Sequence, residues 1–165
     1  MAYDAMIEAG FQPDLTPEIQ AQLNKLKSAP PSGGDHTRDL RKLLWSSIDN
    51  RESKDLDQIE WSEQLADGKM RILIGIADVD AYVPKDSPVD QHARINTTSV
   101  YMGIMTYPML PEKLSFDISS LLPNVDRLAI VTELIVDQNG TVVSSDFYRA
   151  LVRNHAKLFR LLPLE

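Results

Sequence analysis

The stretch that decides both the fold and the chemistry is residues 47–61, which read Ser47-Ile48-Asp49-Asn50-Arg51-Glu52-Ser53-Lys54-Asp55-Leu56-Asp57-Gln58-Ile59-Glu60-Trp61. Three of these residues are aspartates, and they lie between two apolar runs. The upstream run, residues 43–48, and the run that begins at Ile59 both favour β-strands. Asp49 is then expected at the end of one strand, with Asp55 and Asp57 at the start of the next. Residues two apart in an extended chain share one face, so the last two carboxylates are expected to point the same way.

Three carboxylates that lie close together repel one another unless a cation lies among them. Hard oxygen ligands suit Mg²⁺, whose shell is usually completed by water and a substrate phosphate. The pattern therefore predicts a magnesium site formed by Asp49, Asp55 and Asp57. Two other interpretations stay open, namely a solvated acidic loop and a calcium-binding loop. The calcium pattern needs glycine where Lys54 stands, and its flanks should be helices rather than strands.

The same residues resemble the signature of the ribonuclease II / ribonuclease R family, at the start of its catalytic domain. That signature is Ile-Asp, five intervening residues, and then Asp-x-Asp-Asp. Asp49, Asp55 and Asp57 match three of its four acidic positions, and Gln58 replaces the fourth. The form Ser-Ile-Asp-Asn followed by Asp-Leu-Asp-Gln resembles a bacterial branch of the family.

Further matches follow in the family's order, and the resemblance covers roughly residues 38–158. They are Ile76-Ala77-Asp78-Val79, Tyr101, residues 108–115, Ser120-Leu121-Leu122-Pro123, Arg127 and Ala156-Lys157-Leu158. Residues 159–165 do not resemble the family. The resemblance therefore implies the N-terminal portion of a catalytic domain, and we expect that domain to be incomplete at its C-terminus.

The resemblance implies a 3′-to-5′ exoribonuclease that hydrolyses single-stranded RNA with Mg²⁺. Asp49, Asp55 and Asp57 would bind one or two ions, and Tyr101 would stack against the terminal nucleotide. A phenol ring can stack on any base, so this contact needs no sequence preference. The partial domain is expected to show little activity alone. Gln58 can offer an amide oxygen but no charge, which leaves a non-catalytic RNA-binding or scaffolding remnant as the alternative.

The composition bounds the partners of the protein. Its 165 residues carry a net charge of −7, which argues against a free-standing nucleic-acid binder but not against a site where cations lie between carboxylates and phosphate. No apolar run approaches the ~20 residues of a membrane span, and the N-terminus lacks a signal-peptide pattern. The absence of cysteine fits a reducing compartment. We expect a cytoplasmic protein with neither a membrane nor DNA as partner; the sequence leaves the oligomeric state open.

The predicted fold is α+β, a mixed and mostly antiparallel sheet with packed helices. A helical lead-in (1–28) and a linker rich in Pro, Gly and Ser (29–37) precede residues 38–165 as the partial catalytic domain. Two hairpins are predicted, with turns at Asp67-Gly68 and Asn139-Gly140 and strands at 59–65, 70–77, 127–136 and 141–152. A helix is predicted from Ser87 to about Val100, which places Tyr101 at its end. The apolar run 70–77 predicts a strand that is buried on both faces.

Overall fold

The protein is described by a computed structural model that covers residues 2–27, 30, 34–103 and 105–159. Its helices are α1 (Ala2–Glu8), α2 (Pro17–Lys25) and α3 (Pro88–Asn96). Its strands are β1 (Arg38–Asp39), β2 (Trp45–Asp49), β3 (Gln58–Gln64), β4 (Met70–Ala77), β5 (Val100–Met102), β6 (Met105–Tyr107), β7 (Asp126–Val136) and β8 (Val142–Phe159). A 3₁₀ turn (Val79–Ala81) and a π-helical turn (Leu114–Ile118) complete the regular structure. The predicted α+β class is confirmed.

The large sheet has the strand order β1-β8-β2-β3-β4-β7, and β7 also pairs with β8. The pairing therefore runs round a closed ring of β8, β2, β3, β4 and β7. All pairs along the ring are antiparallel except β2 with β8, which is parallel, as is β1 with β8. The mixed, mostly antiparallel sheet that the sequence predicts is confirmed.

The inner face of this ring holds the main core. Trp45, Ile59, Leu73, Val131 and Val152 are all at most 1% exposed and pack in one cluster. The outer face is open by comparison, so the prediction that 70–77 is buried on both faces is wrong. Alternate residues of β4 enter the core, whereas Ile76 on the other face is 43% exposed, because no layer of the described chain covers it.

A second core joins the helices to the turns that follow β4. Ile19 and Leu23 of α2 pack with Val89 of α3 and with Leu114 and Ile118 of the π-helical turn. The helix starts follow the sequence signals. In α2 the Thr16 hydroxyl accepts a hydrogen bond from the amide of Ile19, and Pro17 is the first helical residue. The predicted helical lead-in is thus present, although it shares this core with later residues; the proposed domain boundaries stay a prediction.

Two elements differ from their predicted extent. α3 ends at Asn96 because Thr97 is left-handed (φ 57°), so Tyr101 lies in the short β5–β6 hairpin instead of at a helix end. β8 runs on to Phe159, well past the predicted end at 152, because its last residues pair with β2. Such long-range pairing leaves no local signal in the sequence.

Parts of the remaining predictions fall outside the described residues. Four of the nine linker residues at 29–37 are not described, and neither are residues 160–165. The linker and the departure from the family pattern at the C-terminus therefore stay predictions. Within the described chain, no helix combines the length and the apolar character needed to cross a bilayer.

Candidate functional site

The segment between β2 and β3, residues 49–57, forms what we call the acidic loop. Asp49 is the last residue of β2, and Asp57 directly precedes β3. Between them the chain has neither helix nor strand. Asp49, Asp55 and Asp57 line one cavity of about 410 Å³ together with Asn50, Ser53 and Tyr101. The structure thus gathers the four residues that the sequence singles out around one space, the acidic cavity.

The three carboxylates differ in how they are held. Asp49 accepts hydrogen bonds from the Ser53 hydroxyl (2.7 Å) and from the amide of Asn50 (2.6 Å). Asp55 accepts one from the Tyr101 hydroxyl (2.8 Å). Asp57 is exposed, and its carboxylate accepts no hydrogen bond from the described part of the chain. It is therefore the least constrained of the three.

The carboxylates are not assembled into a finished metal site. Among the described residues, no three acidic, histidine or cysteine side chains lie close enough to hold one ion. In this conformation Asp49 is hydrogen-bonded to Ser53 and Asp55 to Tyr101, and the magnesium site formed by the three aspartates stays a prediction.

The donor chemistry nevertheless fits Mg²⁺. This ion usually takes one or two carboxylates and completes its shell with water and substrate phosphate. No Lys or Arg in the described ranges forms a salt bridge with Asp49, Asp55 or Asp57, so their charges are uncompensated.

A calcium-binding loop would use Glu60 as a fourth ligand beside the three aspartates, and the structure does not place Glu60 with them. Glu60 lies within β3, does not line the acidic cavity, and accepts a hydrogen bond from the Gln58 amide. The same contact locates Gln58, which stands at the family's fourth acidic position. Its side chain is bonded along the strand and is not among the residues that line the acidic cavity.

Tyr101 presents an exposed ring beside these charges. It is 67% exposed, and its hydroxyl is tied to Asp55 across 46 residues of sequence. The hydrogen bond to Asp55, partial desolvation and the negative charges of the three aspartates raise the pKa of the Tyr101 hydroxyl. The neutral phenol is therefore favoured, and its ring remains accessible to a planar ligand.

Sequence reasoning assigned no role to Asn50 or Ser53, although both lie inside the quoted signature. A serine four residues after an aspartate can close a local turn by donating to the carboxylate, as Ser53 does here. That spacing is the signal that could have found it. The bond between Tyr101 and Asp55 has no such local signal.

Residues 37–159 match the RNB domain family. Ribonuclease R of Escherichia coli (strain K12) is 37% identical over 160 residues, which is 96% of this chain and 20% of that protein. Among solved structures, Mycoplasma genitalium RNase R in complex with ribose-methylated single-stranded RNA has a TM-score of 0.86 at 28% identity, covering 93% of this chain and 24% of that one.

The same Mycoplasma genitalium enzyme in complex with double-stranded RNA has a TM-score of 0.87 at 28% identity, covering 93% of this chain and 27% of that one. These likenesses extend over nearly the whole of this chain. They extend over a small part of each relative, since the chain spans 20% of the length of the Escherichia coli protein.

Proposed function

Because the chain belongs to the RNB-domain family of ribonuclease II and ribonuclease R, we propose that its acidic cavity serves the 3′-to-5′ hydrolysis of single-stranded RNA. The observation that carries this proposal is the meeting of Asp49, Asp55, Asp57 and Tyr101 at one cavity. The resemblance to the family gives the three aspartates the role of binding a cation and gives Tyr101 the role of stacking against the nucleotide. Two distant stretches of sequence contribute to that space, so chance proximity within one loop does not account for it.

The charge of the site requires a cation before RNA can bind. No Lys or Arg is among the described residues that line the acidic cavity, and the whole chain carries a net charge of −7. A phosphodiester would be repelled by three carboxylates. We propose that Asp55 and Asp57, with Asp49, hold one or two Mg²⁺ ions. When bound, Mg²⁺ supplies a more acidic water and stabilises negative charge on the leaving 3′ oxygen.

Tyr101 and Asp57 have separate roles in the proposed site. Tyr101 holds the terminal base by stacking, which is worth about 1–3 kcal/mol per base in single-strand binding proteins. Its hydrogen bond to Asp55 fixes the ring relative to the carboxylates. The Asp57 carboxylate is exposed and accepts no hydrogen bond from the described chain, so it is available to bind a cation, and we propose that it is the residue least tolerant of change.

The proposed partner is single-stranded RNA, with neither a membrane nor DNA, and the absence of cysteine fits the cytoplasmic location that we propose. We expect the 165 residues alone to turn over little RNA. The carboxylates are not yet gathered around one ion, and the net charge opposes the approach of a polyanion.

A second candidate is an RNA-binding or scaffolding remnant of the same fold that performs no chemistry. Two observations favour it. The described residues form no three-ligand metal cluster, and the Gln58 side chain is bonded to Glu60 and does not line the acidic cavity. The two candidates differ in whether a bound RNA becomes shorter.

The test is a single-turnover assay with excess protein and a 5′-labelled single-stranded oligonucleotide, with and without Mg²⁺. We expect slow shortening from the 3′ end that needs Mg²⁺ and is lost in Asp57→Asn. Asp146→Asn is the control, since it removes the same charge, together with the Arg38–Asp146 ion pair, from an exposed residue of β8 that does not line the acidic cavity. Binding without shortening would support the remnant, and shortening that persists in Asp57→Asn would contradict the assigned site.

A further inference from the structure

Several residues that carry the family resemblance have no role in the proposed catalytic site. They are Ser120 and Leu121, Arg127, and Lys157 near the end of β8. The fold brings these distant stretches against the backbone of the acidic loop. We propose that Ser120 and Lys157 are positioning residues that clamp the acidic loop and so set where its carboxylates can meet a cation, an inference that rests on the proposed function.

Ser120 holds the second half of the loop. Its hydroxyl accepts a hydrogen bond from the amide of Leu56 (3.0 Å) and donates one to the carbonyl of Lys54 (2.8 Å). The amide of Leu121 donates to the carbonyl of Leu56 (2.7 Å). Leu56 is 1% exposed and stands between Asp55 and Asp57, so fixing it fixes both. A hydroxyl can donate and accept at once, which alanine cannot reproduce.

Arg127 braces Ser120 from behind. Its guanidinium is 4% exposed and donates to the carbonyls of Ser120 (3.0 Å) and Asp117 (3.0 Å). These bonds hold the segment that carries the Ser120 hydroxyl in one conformation. A strongly buried guanidinium committed to backbone carbonyls acts here on the protein rather than on a phosphate.

Lys157 holds the first half of the loop. Its ammonium group donates to the carbonyls of Arg51 (3.0 Å) and Ser53 (2.6 Å). The Ser53 hydroxyl in turn donates a hydrogen bond to the Asp49 carboxylate. Lys157 therefore influences the position of Asp49 indirectly, through Ser53. Lys157 is placed by the parallel pairing of β8 with β2, where it lies opposite Ser47. Hydrogen bonds from a charged donor are roughly twice as strong as neutral ones.

The clamp matters because the acidic loop between Asp49 and Asp57 has no regular secondary structure of its own. Residues 50–57 contain no helix or strand, so no repeating backbone hydrogen bonds define their conformation. Groups that orient metal ligands from behind typically change metal affinity by about 10–100-fold when they are removed. A residue that only stabilised the fold would lower the unfolding temperature and leave the affinity of the folded protein unchanged.

The first measurement is the dissociation constant for Mn²⁺. It is obtained by electron paramagnetic resonance at a temperature well below that of unfolding. Ser120→Ala and Lys157→Met are expected to raise the dissociation constant by about tenfold or more. Ser120→Thr, which keeps a hydroxyl, should rescue most of the affinity. The matched controls are Ser144→Ala and Lys42→Met, which alter exposed side chains outside the acidic loop and should bind as the unsubstituted chain does.

The second measurement is amide hydrogen exchange of residues 50–57 in the metal-free protein. It should accelerate in Ser120→Ala and Lys157→Met while β3 and β4 exchange as before. Lys157 is half-buried whereas Ser120 is buried, so the Lys157 variant provides the test even where Ser120→Ala does not fold.

The two measurements distinguish failure of the clamp from failure of the proposed cation site. Unchanged exchange in the loop would overturn the clamp. Faster exchange with an unchanged Mn²⁺ dissociation constant would overturn the positioning role and leave a structural contact. If the unsubstituted chain binds no Mn²⁺, the cation site of the proposed function fails, and the exchange data alone then decide whether the clamp exists.

Discussion

At the scale of single residues, the hydrogen bond between Tyr101 and Asp55 links the two halves of the proposed site. The hydroxyl donates to a carboxylate that is also a proposed cation ligand. The tyrosine ring is left free to stack because only its hydroxyl is engaged and 67% of the residue is exposed. A change at either residue therefore has consequences for the other.

The hydrogen bond predicts a high pKa for Tyr101. Donation to Asp55 and the nearby negative charges raise this pKa above its ordinary value of 10.0. The stabilisation that this bond gives the folded state is then fully present below pH 10 and is lost as the pH rises through the raised pKa. We expect the Tyr101 component of an ultraviolet alkaline titration, defined by difference from Tyr101→Phe, to shift downward in Asp55→Asn. An unchanged titration in that variant would show that the bond is not formed.

Stacking and hydrogen bonding by Tyr101 can be separated by two substitutions. Tyr101→Phe keeps the ring, so we expect RNA affinity within a few-fold of the original. Tyr101→Leu removes the ring and should weaken binding by about 1–3 kcal/mol, the worth of one base stacked on an aromatic side chain. Fluorescence anisotropy with a labelled oligonucleotide measures both. Equal losses in the two variants would assign the effect to the hydroxyl.

The sequence predicted four residues that line the acidic cavity, but not how the side chain of each is held. Spacing alone placed Asp55 and Asp57 near the start of a strand, and both line the acidic cavity. The turn of Asp49 towards Ser53 and the bond of Asp55 to Tyr101 depend on side-chain competition and on a contact 46 residues apart. A periodic sequence pattern indicates which face of a strand or helix a residue lies on. The two side-chain hydrogen bonds depend instead on how the folded chain packs.

At the scale of elements, α3 carries a buried histidine whose neutral form the folded state favours. His92 is 4% exposed, and its ring accepts a hydrogen bond from the Asn96 side-chain amide (3.0 Å). The Asn96 side-chain nitrogen is the donor, because the side-chain oxygen of the same residue accepts a hydrogen bond from the backbone amide of Gln12. Burial lowers the pKa of His92 below its ordinary value of 6.5, so the neutral ring belongs to the folded state.

This predicts a loss of stability on acidification. The unfolded chain takes up a proton at His92 more readily than the folded chain does. The stabilising contribution is therefore present above pH 6.5 and is lost as the pH falls through the lowered pKa of the folded state. Urea unfolding between pH 7 and 5 should show a smaller loss for His92→Gln than for the original chain. His36→Gln, which changes an exposed histidine, serves as the control. If His92→Gln lost as much stability between pH 7 and 5 as the original chain, the prediction would be contradicted.

Elements with strong local signals were predicted well, and those shaped by distant partners were not. Ser87-Pro88 correctly marked the start of α3, because capping is a local interaction. The last seven residues of β8 were missed because parallel pairing with β2 is specified by the whole fold. The left-handed Thr97 that ends α3 was missed as well, since no glycine marks the position.

At the scale of the whole molecule, the ring of strands leaves an apolar outer face. Ile76, Ile130 and Phe147 are 43%, 36% and 78% exposed. Ile76 pairs with Ile130, and Phe147 pairs with Thr132 two residues further along β7. Turn signals and strand patterns were sufficient to predict the α+β class. They could not show that the strands close into a ring, which turns alternate apolar residues outward.

An exposed apolar face of this kind favours association. We expect sedimentation velocity to show concentration-dependent self-association of the isolated chain, and Phe147→Ser to weaken it without lowering the unfolding temperature. Ile7→Ser, which changes a half-exposed residue of α1, is the matched control and should associate as before. Association that is equally strong in Phe147→Ser would assign it to another surface.

We propose that the acidic cavity uses a divalent cation to bind RNA. The most direct measurement is the dissociation constant for a short single-stranded RNA, with Mg²⁺ and with a chelator, for the original chain, Asp55→Asn, Asp57→Asn and the control Asp146→Asn. We expect Mg²⁺ to tighten RNA binding at least about tenfold, roughly 1.4 kcal/mol, in the original chain and in the Asp146→Asn control. Asp55→Asn and Asp57→Asn should both lose this gain in affinity. Equal affinity with and without Mg²⁺, or a gain that survives both loop substitutions, would contradict it.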